Sequence, residues 1–573
     1  MNNSERPPLA GIGTWYLGLA IDAQGLTAAL WQPGQTSHPF RWQEEGETQT
    51  HLPLCAQFFT KTTAEEGAQL ILRVGREVTA TTPPTQHLYL EQFHTYLQRA
   101  MPFYSRKQRQ WLPKVYVTGG KQMPLHWLQR ALQQVLRQLL PQTVRSPLAA
   151  AGLPPNQFLQ AMHNLAGVVI TQPLAWGDAA RFNWREAVVG AGLVQHPEQI
   201  FFTSAPTAVA LRSELPPATP TLIITSQGTS TDVAIALPQG PLIQDTCPYG
   251  YQDIYADIFY QLLYPQWLPA HDFLATMTWD MPWPGYPDRQ RRDRAAAALQ
   301  RHAMGAMVMT VATRVAQLLC HQPTFTTHLG DQPWTVSRAD LQAKILTPWF
   351  DTLNTTLNDV LSTAGVTTTQ ITRLLWHGPL CHYGMPELQA QLAWKFPNAQ
   401  LQAVTGELAS GAAQLARHPV WCDRFRHQYD DLFLLAELLR LNPRQPMTLK
   451  ALSQALQRRG VNLTADRSSS AHPEQRLQAL LENQFPPGFM PTPADPWIVE
   501  TSHASLEYQA IAAAPLFDLA PDGNGYCLNP IQAKRLRQYF TLLLTQTTQK
   551  LTDPLSFPLR SLLPLGSANR QGR

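Results

Sequence analysis

The sequence predicts an α/β protein with a mainly helical module at its C-terminal end. Three observations predict it. From about residue 14 to 425, short β-branched runs alternate with segments of helical period. Near residue 425 the character changes, and Leu-rich helical stretches replace the strands. Further on, a strong turn, Pro521-Asp522-Gly523-Asn524-Gly525, joins two short extended segments. The expected organisation is a flexible N-terminus (1–13), a large unit (14–425), the helical module (426–552) and a disordered tail (553–573).

Residues 16–21, 26–31 and 39–42 read as three strands of a meander, with Gly25 near the first turn. Strand, tight turn, strand can present backbone N–H groups to a phosphate. Over 124–140, Leu125, Leu128, Leu132, Val135, Leu136 and Leu139 recur at helical spacing, a buried stripe without functional content. Residues 168–171 form a buried strand ended by Pro173. Asp178 stands where it can cap a helix over 179–191, with Gly192 as its stop. Residues 200–202 follow as a strand, 205–212 as a short helix and 221–224 as another buried strand. Val233, Ile235 and Leu237 alternate as in a half-buried strand. A helix over 250–264 turns Ile254, Ile258, Leu262 and Leu263 inward. Residues 265–288, with several Pro and Trp, read as an irregular insertion, and 293–321 as one long helix. The strand 374–376 leads into His377-Gly378-Pro379, and Gly411-Ala412-Ala413 starts a small-residue helix.

In the C-terminal module Leu432, Leu434, Leu435, Leu438 and Leu439 mark one helix. Thr448 caps a second that ends at Gly460, and 474–483 form a third, closed by Pro486-Pro487-Gly488. Residues 515–519 and 526–528 flank the strong turn, and Asn529-Pro530 supplies the cap and first position of a last helix. Helices followed by a hairpin read as a winged-helix-like module.

At 573 residues and 44% apolar, the chain can fill three or four cores. Only 15% of it is charged, against an average of about 25%. The 49 prolines mark many loop boundaries. A net charge of +4 is small for this length and argues against nucleic acid as the main partner. Lys450, Arg458 and Arg459, the basic residues on the second module helix, are few for phosphate contacts. The cysteines, Cys55, Cys247, Cys320, Cys381, Cys422 and Cys527, form no CxxC and read as packing residues. His377, Cys381 and His382 lie close together but lack further ligands, so no metal site is expected. Arg289, Arg291, Arg292, Arg294 and Arg301 read as a solvated face, with docking of an acidic partner as the functional alternative. No apolar run reaches the ~20 residues of a membrane span, and the first residues do not read as a signal peptide. A soluble, cytoplasmic protein is the expectation.

Several motifs fall in a telling order. They are Gly18-Leu19-Ala20-Ile21-Asp22-Ala23-Gln24, Val168-Val169-Ile170-Thr171-Gln172-Pro173, Asp178-Ala179-Ala180-Arg181, Ala191-Gly192-Leu193, Ala205-Pro206-Thr207-Ala208, Thr225-Ser226-Gln227-Gly228-Thr229-Ser230-Thr231-Asp232-Val233 and Gly411-Ala412-Ala413. In this order the chain resembles the nucleotide-binding domain of the Hsp70/actin ATPase superfamily over about residues 14–420 and looks like a divergent Hsp70-like protein. The resemblance implies a two-lobed actin-like ATPase (ribonuclease H-like) fold, with ATP and Mg²⁺ between the lobes.

The same resemblance implies a degenerate site. Typical members carry carboxylates that position metal and water where this chain has Ala20, Ala205 and Thr225. Asp22, Ala23 and Gln24 replace a Gly-Thr-Thr phosphate cradle, and an anionic Asp22 repels phosphate. In the second loop Gln227 and Thr229 replace two glycines, leaving Gly228, Thr229 and Ser230 as the vestigial cradle. Trp376-His377-Gly378 stands where a Gly-Gly belongs, so His377 and Gly378 complete the vestigial cleft. His94 falls nearest the phosphate-contacting Lys, and Thr310 and Thr313 nearest the ribose- and base-contacting residues. Phosphoryl transfer depends on positioning and electrostatic stabilisation, and Mg²⁺ on carboxylate oxygens. No catalytic or metal-binding residue is therefore expected, and at most weak ATP or ADP binding. Mg²⁺ enters only with the alternative, an ATP-hydrolysing Hsp70-family chaperone, in which Asp22 restores one carboxylate from a slipped register. The leading expectation is a protein-binding scaffold or assembly chaperone-like factor whose partner is a protein. A β-sandwich peptide clamp, which Hsp70 proteins carry, is not seen after residue 425.

Overall fold

The computed structural model describes residues 14–44, 47–63, 67–78, 87–141, 147–213, 219–238, 242–267, 281–302, 304–329, 331–379, 386–404, 406, 408–417, 430–459, 461 and 473–549. The N-terminus 1–13, the tail 553–573, Cys381, His382, Cys422, Gly460 and residues 268–280 of the Pro- and Trp-rich insertion lie outside them.

The chain is α/β, and two sheets dominate it. In the first, β1 (Trp15–Ile21) runs antiparallel to β2 (Leu26–Trp31), and β2 to β3 (His38–Glu44). On its other side β1 runs parallel to β4 (Leu165–Gln172), and β4 to β5 (Ile200–Ser204). The short strands Glu47–Gln49 and Leu148–Ala150 pair with β3 and complete seven strands. In the second, β6 (Thr221–Ser226) is antiparallel to β7 (Thr231–Ala236), and β7 to β8 (Ile243–Cys247). β6 is parallel to β9 (Arg373–His377), and β9 to β10 (Gln400–Ala403). Numbered within each set, both sheets have the order 3-2-1-4-5.

The helices follow the same repeat. On the first sheet are α1 (Leu125–Arg137), α2 (Asp178–Ala191), which crosses from β4 to β5, and α3 (Ala205–Arg212), which follows β5. On the second are α4 (Tyr251–Ile258), α5 (Arg289–Arg301), α6 (Gly305–His321), α7 (Thr347–Ala364), α8 (Pro386–Lys395), which crosses from β9 to β10, and α9 (Leu408–Ala413), which follows β10. α3 and α9 fill the seam between the sheets with small residues, among them Ala205, Ala208, Ala409, Ala412 and Ala413. The approach is backbone to backbone. A Cβ on Gly411 would sit 1.9 Å from the Ala208 carbonyl oxygen, and one on Gly18 of β1 would sit 2.0 Å from that of Ala409.

Four expectations need correction. Gly411-Ala412-Ala413, expected to start a helix, are the last three residues of α9. β7 is buried along its whole length, not half-buried. Val233 and Ile235 face the second sheet's own core, while Ala234 and Ala236 face the seam. The single helix expected over 293–321 is two, α5 and α6, bent by 117°. His302 leaves the helical region at ψ 140, and Gly305 approaches so closely that a Cβ would lie 2.0 Å from Leu299 O. Asp178 does not cap its own helix. Gly177 is the N-cap, and the buried Asp178 carboxylate accepts instead from Leu432 N of the C-terminal module at 2.9 Å.

That module starts with α10 (Asp431–Leu441), α11 (Leu449–Arg458) and α12 (Pro473–Leu481). The hairpin of β11 (Phe517–Leu519) and β12 (Tyr526–Leu528) follows, and then α13 (Pro530–Leu544). Thr448 and Asn529 cap α11 and α13 as their sequence positions predict. Met447 pairs with Tyr526 as a third short extended partner. The module's core takes in Met101, Phe103, Leu112 and Phe182 from the first part of the chain. The stretch between α12 and β11 reaches back to the same part. Gly488 O accepts from Met101 N (3.1 Å), Trp497 O from Tyr116 N (2.9 Å), and Val499 N donates to Lys114 O (2.9 Å).

Candidate functional site

The carboxyl ends of β1, β6 and β9 face one cavity of about 700 Å³. In α/β sheets this is the usual place for a ligand. Of the residues expected there, Asp22, Ala23, Gln24, Thr229, His377 and Gly378 line the cavity, as do Thr310 and Thr313 on α6. Gly228 and Ser230 share the turn of Thr229 without lining it. Ala20, Ala205 and Thr225 are buried in β1, α3 and β6 and are not part of the wall. His94 is also buried. Desolvation lowers its pKa to about 4, so it is a neutral core residue in the 3₁₀ turn Phe93–Gln98. Arg99, just after that turn, reaches the cavity in its place.

The turn between β1 and β2 is closed by its own carboxylate. Asp22 Oδ1 accepts from Gln24 N (2.8 Å) and Gly25 N (3.1 Å), and Asp22 N donates to Gly25 O (2.9 Å). Asp22 Oδ2 lies 2.8 Å from His51 Nε2, which donates when that nitrogen carries its proton. This is an Asx-turn, in which the side chain stands in for a backbone turn bond.

The turn between β6 and β7 is closed by backbone. Gln227 N donates to Ser230 O (2.8 Å). Tyr251 N and Gln252 N, in the first turn of α4, donate to Gln227 O (3.0 Å) and Gly228 O (2.8 Å). Asp253 accepts from Gly250 N at 3.0 Å. The unsatisfied N–H groups that make a helix N-terminus attractive to anions are thus occupied here. Gly250 is obligatory, since a Cβ there would lie 2.3 Å from Gln227 O.

An ion chain crosses the cavity. Arg99 binds Asp293 through two nitrogens (2.6 and 3.2 Å), Arg289 reaches Asp293 (3.0 Å), and the same Arg289 reaches Asp253 (3.0 and 3.1 Å). Burial opposes ionisation of Asp293, but Arg99 and Arg289 outweigh it and hold its carboxyl below the ordinary range. Arg292 binds Asp257 (3.0 and 3.1 Å) and the carbonyls of Trp283 and Tyr286 (2.7 and 2.8 Å). Gln252 and Gln92 also meet across the cavity. The Arg99 guanidinium lies over the Trp497 ring, 5.5 Å from its centroid.

The basic cluster on α5 is therefore not one solvated face. Arg289 and Arg292 turn inward, and Arg301 packs over Tyr116 and donates to Pro496 O. Arg459, just past α11, is paired with the buried Glu437. Of the cysteines, Cys55 and Cys247 are buried and Cys320 and Cys527 half-buried. Among the described residues no group of three His, Cys, Asp or Glu could hold a metal ion. No single helix there is long and apolar enough to cross a membrane.

Sequence reasoning missed Arg99, Gln92, Asp253, Asp293 and Trp497. Arg289 and Asp293 stand four apart on a helix, a legible signal. Arg99 and Trp497 meet from opposite ends of the chain and leave none. No protein-family model matches this chain, and no curated protein matches it.

Proposed function

We propose that this is an Hsp70-like protein of the two-lobed, actin-like kind with a degenerate ATP site, working as a protein-binding scaffold or assembly chaperone-like factor. The repeated 3-2-1-4-5 strand order and the cavity at its strand ends support the two-lobed reading. One observation carries the loss of hydrolysis: the Asp22 carboxylate occupies the N–H groups of Gln24 and Gly25 that a phosphate would need. Mg²⁺-triphosphate does not fit the residues present. Ala20, Ala205 and Thr225 supply no carboxylate, Asp22 is engaged by the turn and by His51, and Asp253 and Asp293 are held by Arg289 and Arg99. The chain from Arg99 to Asp253 ties the two sides of the cleft together, which suits a scaffold better than a machine that rotates its lobes. The C-terminal module, fused to the first side through a shared core, offers a second surface for a protein partner.

The test is an ATPase assay on the purified full chain, with capture of its partner in the presence and absence of ATP. No turnover and ATP-indifferent capture are expected. Turnover abolished by a substitution in the cleft would restore the chaperone-ATPase alternative.

A further inference from the structure

We infer that the loop 282–287 and the outward face of α5 beside it form a docking surface for an acidic linear segment of a partner protein. This rests on the scaffold reading above and names the class of partner for it. Two of the most exposed large apolar side chains among the described residues stand three positions apart in this loop, Trp283 (69% exposed) and Tyr286 (59%). One exposed apolar side chain is ordinary. A Trp and a Tyr on one fixed loop, beside arginines, are the composition of an interface centre.

The loop is held from beneath. Pro282, Pro284 and Pro287 each fix a backbone angle. Tyr286 N donates to Trp283 O (3.1 Å). The buried Arg292 donates to the same Trp283 O (2.7 Å) and to Tyr286 O (2.8 Å). Gly285 N donates to the buried Asp257 (3.2 Å), and Gly285 O accepts from Thr352 Oγ1 of α7 (2.7 Å). Gly285 itself has φ +69, and a Cβ there would lie 2.3 Å from the Pro348 carbonyl carbon. The main chain is thus pinned by a buried ion pair and by α7, while the two aromatic side chains are left in solvent. Anchors ordered in advance lose little freedom on binding, so a small surface can hold a partner.

Charge selects the partner. The loop runs directly into α5 through Asp288, which caps the helix by accepting from Arg291 N (3.0 Å). Arg289, Arg292 and Asp293 line the cavity. Arg291 and Arg294, three apart, share the other face of α5. Arg294 is exposed and Arg291 half-buried. The carboxylates of this stretch, Asp288 and Asp293, are engaged by the Arg291 amide and by Arg99 and Arg289. The complement of this surface is an acidic chain that also brings a proline or apolar side chain to pack on Trp283 and Tyr286. Two guanidiniums are few for a nucleic-acid backbone, which favours the peptide.

The experiment selects short random peptides, displayed on phage, against the immobilised full chain. The Trp283→Ser/Tyr286→Ser double variant is the counter-target, and enriched peptides are measured by fluorescence anisotropy. Peptides rich in Asp and Glu with a Pro, Leu or aromatic residue should be enriched. The double variant should bind them about thirtyfold more weakly. Arg294→Glu should weaken them about tenfold, and added salt should weaken them further. Both aromatic side chains are exposed, so the double variant should keep the wild-type melting midpoint. Thr352→Val, which loosens the loop without altering its surface, should weaken the peptides severalfold. The inference is overturned if no peptide is enriched, if enriched peptides are basic or uncharged, or if they bind the double variant equally. A single-stranded oligonucleotide that binds this loop more tightly than the peptides also overturns it. Undiminished, ATP-indifferent capture of the native partner by the double variant overturns the inference and leaves the scaffold reading standing. ATP turnover, with peptide binding still lost in the double variant, sinks the scaffold reading and leaves the docking surface.

Discussion

The turn after β1 and the turn after β6 occupy equivalent places in the two repeats, yet they are closed by different means. The first is held by a single half-buried side chain, Asp22. The second is held by main chain against the start of α4, with Gly250 wedged beneath it. A side-chain plug can be removed by one substitution. A backbone plug cannot be lifted without disturbing the sheet it grows from. In the first half a side chain holds the turn's amides, and in the second the turn's carbonyls hold the first amides of α4, so the two are closed with unequal commitment.

The largest expected effect lies behind the second turn. Asp232 of β7 is fully buried, accepting from Thr246 Oγ1 (2.8 Å) and Leu174 N (3.1 Å), and burial raises its carboxyl from 3.8 to about 7. The folded chain holds this proton over a range where the unfolded chain has lost it. Stability contributed by the protonated form is complete below 3.8 and is lost as pH rises through about 7. Asp232→Asn should flatten that slope, by roughly 4 kcal/mol across the window, in denaturant melts against pH. An unchanged slope would remove Asp232 from the account. Next, Gly250→Ala forces a Cβ against three backbone atoms of the second turn. It should cost about 3 kcal/mol, read as a lowered denaturation midpoint.

Arg99→Met removes the cross-cleft tie and leaves Asp293 with Arg289 alone. A loss of about 2 kcal/mol is expected, with a larger radius of gyration in solution scattering if the tie also sets the spacing. Asp22→Ala is the mildest change. Losing one turn-capping side chain should cost about 1 kcal/mol. Unlike Gly250→Ala, it should leave the fold intact and raise AMP affinity by freeing two amides. Equal damage from both substitutions would erase the distinction between the turns.

Much of this arrangement was legible. The strands β1 to β5 of the first sheet and β6, β7 and β9 of the second, the Gly192 stop and the Thr448 and Asn529 caps follow from local patterns, whereas sequence reasoning missed β8 and β10; the cavity residues near Asp22, Thr229 and His377 came from the ordered motifs of the resemblance. Local patterns failed where a remote partner decided. Asp178 looks like a cap but serves Leu432, 254 residues away. The alternation at Val233 suggested one buried face, while the seam that buries the other is built by α3 and α9. The break after α5 is written in Gly305, but only the position of Leu299 makes that glycine necessary. In the site, the ordered motifs pointed to Asp22, Ala23, Gln24, Thr229, His377 and Gly378. They did not give the ion chain, because its members come from separate elements.

Hydrogen exchange of the peptide spanning Ile21 to Leu26, with and without millimolar Mg-ATP, tests the central claim most directly. Because Asp22 already holds the Gln24 and Gly25 amides, added nucleotide should leave their protection unchanged. Strong new protection of those two amides on adding Mg-ATP would mean that phosphate displaces the carboxylate, and the account of a self-occupied cleft would be wrong.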